Sequence, residues 1–157
     1  MRHGKSSWEL NVDDRDRPLQ QRGVDDAHLV GAKVATKQLA IDHAFSSPAN
    51  RALHTSMICL RELKFPLNKL SIEPDLYDFS GEKVINFIRA TSNDLETILL
   101  FGHNNAFTYI ANAMGDTYID NVPTSGFVHL QFKENEWSSI TQGSTQQTLF
   151  PKELKKW

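Results

Sequence analysis

The sequence predicts a three-layer α/β/α sandwich with a mostly parallel central sheet and a late antiparallel strand. Short β-forming segments alternate with amphipathic helical ones as far as Gly115, the pattern of strands laid parallel by crossover helices. Glu96 to Phe101 is a near-continuous apolar run of β-forming type, as a strand buried on both faces requires. Later, Val128, Leu130 and Phe132 alternate with His129 and Gln131, the period of a half-exposed strand.

Taken in order, Asn11 to Arg22 is polar, rich in Asp and Arg and interrupted by Pro18, so it reads as loop. From Val24 to Ile41, Ala27, Val30, Val34 and Ile41 recur at helical spacing, and Asp25 or Asp26 suits the positive end of that helix. Ala44 to Ser47 is a short strand. Pro48 is placed to open the next helix, in which Leu53, Met57 and Leu60 share a face before Phe65-Pro66 ends it. Leu70 to Glu73 is a further short strand and Pro74 to Gly81 a loop. Val84, Ile85 and Ile88 mark a third helix ending near Thr91 to Asn93. A fourth carries Phe107, Ile110, Ala111 and Met114 and stops at Gly115. Trp137 to Thr141 is expected to pair with the Val128 strand, while Ser144 to Phe150 shows no usable period. Lys152 to Trp157 reads as a solvated terminus rather than a membrane or partner tail.

A chain of 157 residues fits one domain, residues 1–157, with one site. The formal charge of -2, from 17 basic and 19 acidic residues, leaves no electrostatic footprint for nucleic acid. Any anion must therefore be held by a local cluster. The apolar runs are too short to span a bilayer, so no membrane partner and a cytoplasmic location are expected. The single Cys59 cannot form an internal disulfide, and its neighbours Met57, Ile58 and Leu60 suit a buried thiol.

Three junctions carry residues suited to phosphate, and in a parallel sheet all three face the same side. The first is Arg2-His3-Gly4, a fixed cation beside a nitrogen nucleophile. At the second, Ser46 to Ala52, Arg51 falls in the first helical turn, near unpaired N–H groups that favour an anion. The third is Gly102-His103-Asn104, where the buried strand ends. Singly each has a structural explanation: an ion-paired Arg51, a hydrogen-bonded His103, a Gly102 required by packing. Jointly they fit a metal-free phosphatase in which neutral imidazole attacks phosphorus and water hydrolyses the phosphohistidine. Two arginines and a second, protonated histidine would stabilise the transferring group. Arg2 and His3 can both reach the ligand only where regular strand geometry has ended, a break that Gly4 would permit. Asp13, Asp14 and Asp16 lack the Gly and Glu spacing of a calcium loop, so pairing with Arg15 and Arg17 is expected. His28, His43, His54 and His129 show no metal-ligand spacing.

Arg2-His3-Gly4, Asp16-Arg17-Pro18-Leu19 with Gly23, Ser47 to Ala52 with Thr55, and Gly102-His103-Asn104 resemble, in order, the histidine phosphatase (phosphoglycerate-mutase-like) superfamily. The short chain and the Arg17-Pro18-Leu19 run are similar to its SixA-type phosphohistidine phosphatase branch. The resemblance implies His3 as phosphate-accepting nucleophile, Arg2 and Arg51 as phosphate clamps, and His103 as the second phosphate-binding histidine. It implies no metal and no organic cofactor. Larger members use a carboxylic acid to protonate the leaving group, for which Asp75 and Glu73 are the nearest candidates here. A phosphoamidate needs that help less than an alkoxide does, since its nitrogen can carry the proton.

The family carries a short apolar strand before Arg-His-Gly, whereas only Met1 precedes the motif here. Without it, unpaired backbone and apolar side chains on the neighbouring strands are expected to be exposed, and the nucleophile poorly fixed. The expected resolution is a protein whose N-terminus extends beyond Met1. The substrate implied is a phosphorylated protein carrying phosphohistidine, with inorganic phosphate as product. The alternatives are a broad small-molecule phosphomonoesterase acting on phosphoesters and a catalytically inactive phosphate-binding or interaction module.

Overall fold

A computed structural model describes residues 1–156. The elements are α1 (Gln21–Ala35), β1 (His43–Ser46), α2 (Asn50–Glu62), β2 (Leu70–Ile72) and α3 (Glu82–Arg89), then β3 (Ile98–Phe101), α4 (Ala106–Met114), β4 (Phe127–Gln131), β5 (Ser144–Leu149) and α5 (Pro151–Leu154). β1 lies between β2 and β3, parallel to both, while β4 and β5 form an antiparallel pair. Strand alternation sorts the core into two sides. Ala44, Leu99 and Phe101 pack with Val30 and Val34 of α1 and Cys59 and Leu60 of α2. Phe45 and Leu100 pack with Val84 and Ile88 of α3 and Ile110 and Met114 of α4. Helices therefore cover both faces of the sheet.

Met1 to His3 join the two sheets. The His3 N–H donates to the Gly102 carbonyl and the Gly102 N–H to that of Met1; on the other side the Arg2 N–H donates to the Gly126 carbonyl and the Ser125 N–H to that of His3. The Met1 nitrogen donates to the Leu100 carbonyl at 2.7 Å. Beyond these bonds a largely apolar cleft of about 750 Å³ is lined by Ile98, Leu100, Val128, Leu130 and Trp137 among others. The neighbouring apolar side chains Ile98 and Leu100 are half-buried there rather than exposed. The expected looseness of the nucleophile is not found either, because the His3 backbone is bonded on both sides.

Several boundaries differ from the sequence reading. α1 stops at Ala35, and Gln38 turns the chain with φ 53°, so Ile41 reaches the core from a loop. On α2 the buried stripe runs through Ala52, Thr55, Ser56 and Cys59, with Met57 only half-buried. Small residues are selected there because α1 approaches closely, and a Cβ on Gly31 would sit 3.1 Å from the Cys59 Cα. β3 buries Leu99 and Phe101, whereas Ile98 and Leu100 are half-buried and line the cleft. The partner of β4 is Ser144–Leu149, not Trp137 to Thr141. Trp137–Ser139 is instead a 3-10 turn whose indole N–H donates to the Leu95 carbonyl. At the C-terminus Lys155 pairs with the buried Asp26 of α1 at 2.5 Å, so this segment is docked; Trp157 lies outside the described residues.

Candidate active site

Parallel pairing brings the C-terminal ends of β1 and β3 to one edge, where the Met1 to His3 segment also ends. The His3 Nδ1 lies 2.7 Å from the Gly4 carbonyl. A carbonyl only accepts, so Nδ1 carries the proton and Nε2 keeps its lone pair. The Gly4 N–H donates to Thr55 Oγ1, which in turn donates to the Arg51 carbonyl. This chain ties the nucleophile loop to the first turn of α2. Gly4 is required by close approach, since a Cβ there would meet the Gly23 carbonyl at 2.7 Å. No positive φ is involved, because among the glycines only Gly81 adopts one. The break in strand geometry that Gly4 was expected to permit is thus set by this packing.

Arg51 is 2 % exposed, and its Nε, like that of Arg2, is buried without a hydrogen-bond partner. Buried guanidinium groups with spare donors are suited to an anion. Arg2 Nη1 donates to the Val122 carbonyl. Arg51 Nη1 donates to the Asp14 carbonyl and Nη2 to Asp14 Oδ2 at 2.9 Å. Asp14 Oδ1 accepts from Arg17 Nη1 at 3.0 Å, and Oδ2 also accepts from the Tyr77 hydroxyl at 2.5 Å. Arg17 is itself buried, held by Ser6 Oγ and the Ser7 carbonyl, with its guanidinium against the Trp8 ring. Hydrogen bonds from Tyr77, Arg51 and Arg17 outweigh burial and hold the Asp14 carboxyl far below the usual range. Two guanidinium groups, those of Arg51 and Arg17, thus meet one carboxylate, and the surplus is positive.

His103 is fully buried, with its ring centroid 5.2 Å from that of His3. Its Nδ1 faces Arg51 Nη2 at 3.4 Å, a group that can only donate. Nδ1 is therefore the acceptor, and Nε2–H donates to Ser47 Oγ at 2.7 Å. Tyr77 and Phe79 flank the ring at 5.2 and 5.1 Å. Burial, with the nearby cations, lowers the pKa of His3 to about 4; burial, His3 and Arg51 lower that of His103 to about 3. Both rings are neutral in the free site, so His3 is a competent nucleophile. A bound phosphate dianion would favour protonation of His103 and turn Nδ1 into a donor.

Both folded pKa values, about 4 and about 3, lie below the unfolded value of 6.5. The unfolded chain therefore binds more protons, and the stability conferred by holding these rings neutral is present above 6.5 and lost as pH falls through the folded values. In a ring-carbon NMR titration, His3 and His103 should show no protonation shift above about pH 5; a midpoint near 6.5 for either contradicts the geometry.

The structure brings Arg2, His3, Arg51 and His103 together. It leaves Asp75 exposed, and among the described residues no hydrogen bond joins the Asp75 carboxylate to that cluster. The Glu73 carboxylate accepts the Asp75 N–H and so caps its own turn. Asp14 and Tyr77 are partners that the sequence reading did not place in the site, while Arg17, Ser47 and Thr55 stood in the quoted motifs without an assigned role. The expected ion pairing of the acidic loop is found between Asp14 and Arg17, and Arg15 lies over the Tyr77 ring. The one signal for Arg17 and Asp14 was their place at or just before the Arg17-Pro18-Leu19 run.

Comparison with known proteins bears on the family and the fold. An uncharacterised protein of Mycobacterium tuberculosis is 27% identical over 153 residues, spanning 91% of this chain and 93% of its own. A 2,3-bisphosphoglycerate-dependent phosphoglycerate mutase of Beijerinckia indica is 38% identical over 69 residues, 42% of this chain and 33% of the mutase. The solved structure of the protein histidine phosphatase SixA complexed with tungstate shares the fold, with a TM-score of 0.83 and 22% identity over 99% of this chain and 97% of that one. The family description "Histidine phosphatase superfamily (branch 1)" matches residues 1–84, which include Arg2, His3 and Arg51. On that match, covering more than half of its length, the chain belongs to the histidine phosphatase superfamily.

Proposed function

We propose that this protein is a metal-independent phosphatase that works through a phosphohistidine intermediate and acts on phosphohistidine carried by a protein. His3 Nε2 attacks phosphorus, the bond to the leaving nitrogen breaks, and the phosphoryl group passes to His3. Water then attacks phosphorus, the P–N bond to His3 breaks, and inorganic phosphate leaves with neutral His3 restored. Arg2, Arg51 and protonated His103 stabilise charge on the equatorial oxygens in both steps.

The observation that carries the choice of substrate concerns the acid. The carboxylate bonded into the cluster, Asp14, is held ionised by three donors, so it has no proton to give an alkoxide. A phosphoramidate nitrogen can be protonated before the bond breaks and depends less on such an acid. The fold shared with SixA supports the same reading. A broad phosphomonoesterase is the second reading, favoured by the 38% identity to a phosphoglycerate mutase segment; it would draw on Asp75 as acid after loop movement. Phosphate release from a phosphohistidine peptide and from sugar phosphates separates the two. We expect kcat/KM at least ~100-fold higher for the peptide; the reverse order refutes the phosphohistidine reading, and phosphate binding without turnover would leave an inactive binding module.

A further inference from the structure

Asp14 occupies an unusual position for an anion. Resting on the reading that this site takes a phosphoryl group, we infer that Asp14 is an internal competitor for the phosphate position, which weakens binding of the product phosphate and speeds its release. The Asp14 carbonyl and carboxylate together take both Nη groups of Arg51, at 2.6 and 2.9 Å. The second carboxylate oxygen takes Nη1 of Arg17. What remains to Arg51 is the unpartnered Nε–H, the second Nη1–H and the long contact from Nη2 to His103. A guanidinium fork engaged by one anion cannot offer the same N–H groups to another. A phosphate dianion that enters must therefore displace the carboxylate or bind beside a like charge, and either costs affinity.

The segment is built to yield. Asp14 begins a single 3-10 turn, Asp14–Asp16, that buries none of its residues, and the Asp14 side chain is 42% exposed. The groups it would uncover are the opposite, since the Arg51 side chain is 3% exposed and that of Arg17 8%. An exposed anion set against buried cations acts as an exchangeable stand-in for the ligand. A substrate with contacts outside the phosphate pocket can offset the displacement cost, whereas free phosphate has none to use. The expected result is selective weakening of product over substrate.

The test measures binding of inorganic phosphate by calorimetry, together with phosphate inhibition of turnover, for the wild type, Asp14→Asn and Asp14→Ala. The inference expects phosphate to bind at least ~10-fold tighter to both variants, with kcat lowered where phosphate release limits the rate. An Asp14 that merely positions Arg51 predicts the opposite sign, and equal or weaker phosphate binding by either folded variant overturns the inference. Two variants are used because Asn keeps the shape and part of the hydrogen bonding while Ala keeps neither, and thermal melting reports whether each is folded. Wild-type protein that binds no phosphate would instead overturn the reading of the site itself.

Discussion

His3→Ala removes the phosphorylated intermediate and lowers turnover by on the order of 10⁴-fold or more, while phosphate binding survives. The two halves of that result follow from different atoms. Covalent transfer needs the free Nε2 lone pair that the Nδ1–H bond to the Gly4 carbonyl leaves exposed, and alanine has no substitute for it. Binding needs the cations, and Arg2 and Arg51 are held by the Val122 carbonyl and by Asp14 rather than by His3. Acid-quench trapping of labelled phosphate on the protein reads the first half, and calorimetry with phosphate reads the second. Normal turnover by the folded variant would refute the mechanism; loss of both properties together would point to collapse of the site instead.

Arg51→Ala is expected to lower kcat/KM by about 10² to 10³-fold, and Arg51→Lys to recover little of it. The guanidinium holds Asp14 through both Nη groups, contacts His103 Nδ1 and keeps a spare Nε. Lysine places one compact charge at the end of a flexible stem and cannot serve those directions at once. Without the guanidinium, Asp14 loses its two bonds from Arg51 and its negative charge stands less compensated beside the pocket. The link from Thr55 to the nucleophile loop uses the Arg51 backbone carbonyl, so both variants keep it and the fold should persist. Steady-state kinetics with the phosphohistidine peptide provide the check; a loss below ~10-fold for Arg51→Ala would remove Arg51 from the reaction.

The residues with fixed places on regular elements were legible because periodicity locates strand ends. Arg51 lies one residue into α2, His103 two residues past β3, and both sit where the sequence reading put them. Arg17, Asp14 and Tyr77 were not, since loop residues carry no period and their partners are 3, 37 or 63 positions away. β5 escaped for a related reason. Its run Ser-Thr-Gln-Gln-Thr-Leu buries only Leu149, and an irregularity between His129 and Leu130 of its partner breaks the register. The strand is set by backbone pairing to β4, which leaves no apolar alternation to read.

By itself the sequence determined which chemistry is available and on which strand ends it stands, because alternating burial fixes where β1 and β3 stop and parallel pairing sends those ends to one edge. The tertiary structure alone decided the protonation pattern and the counter-charge. The proton on His3 Nδ1 depends on a carbonyl beside it, the low pKa of His103 on burial and nearby cations, and the state of Arg51 on a carboxylate delivered by a distant turn. Each is a property of distance and dielectric between groups far apart in the chain, and no local pattern of residues encodes it.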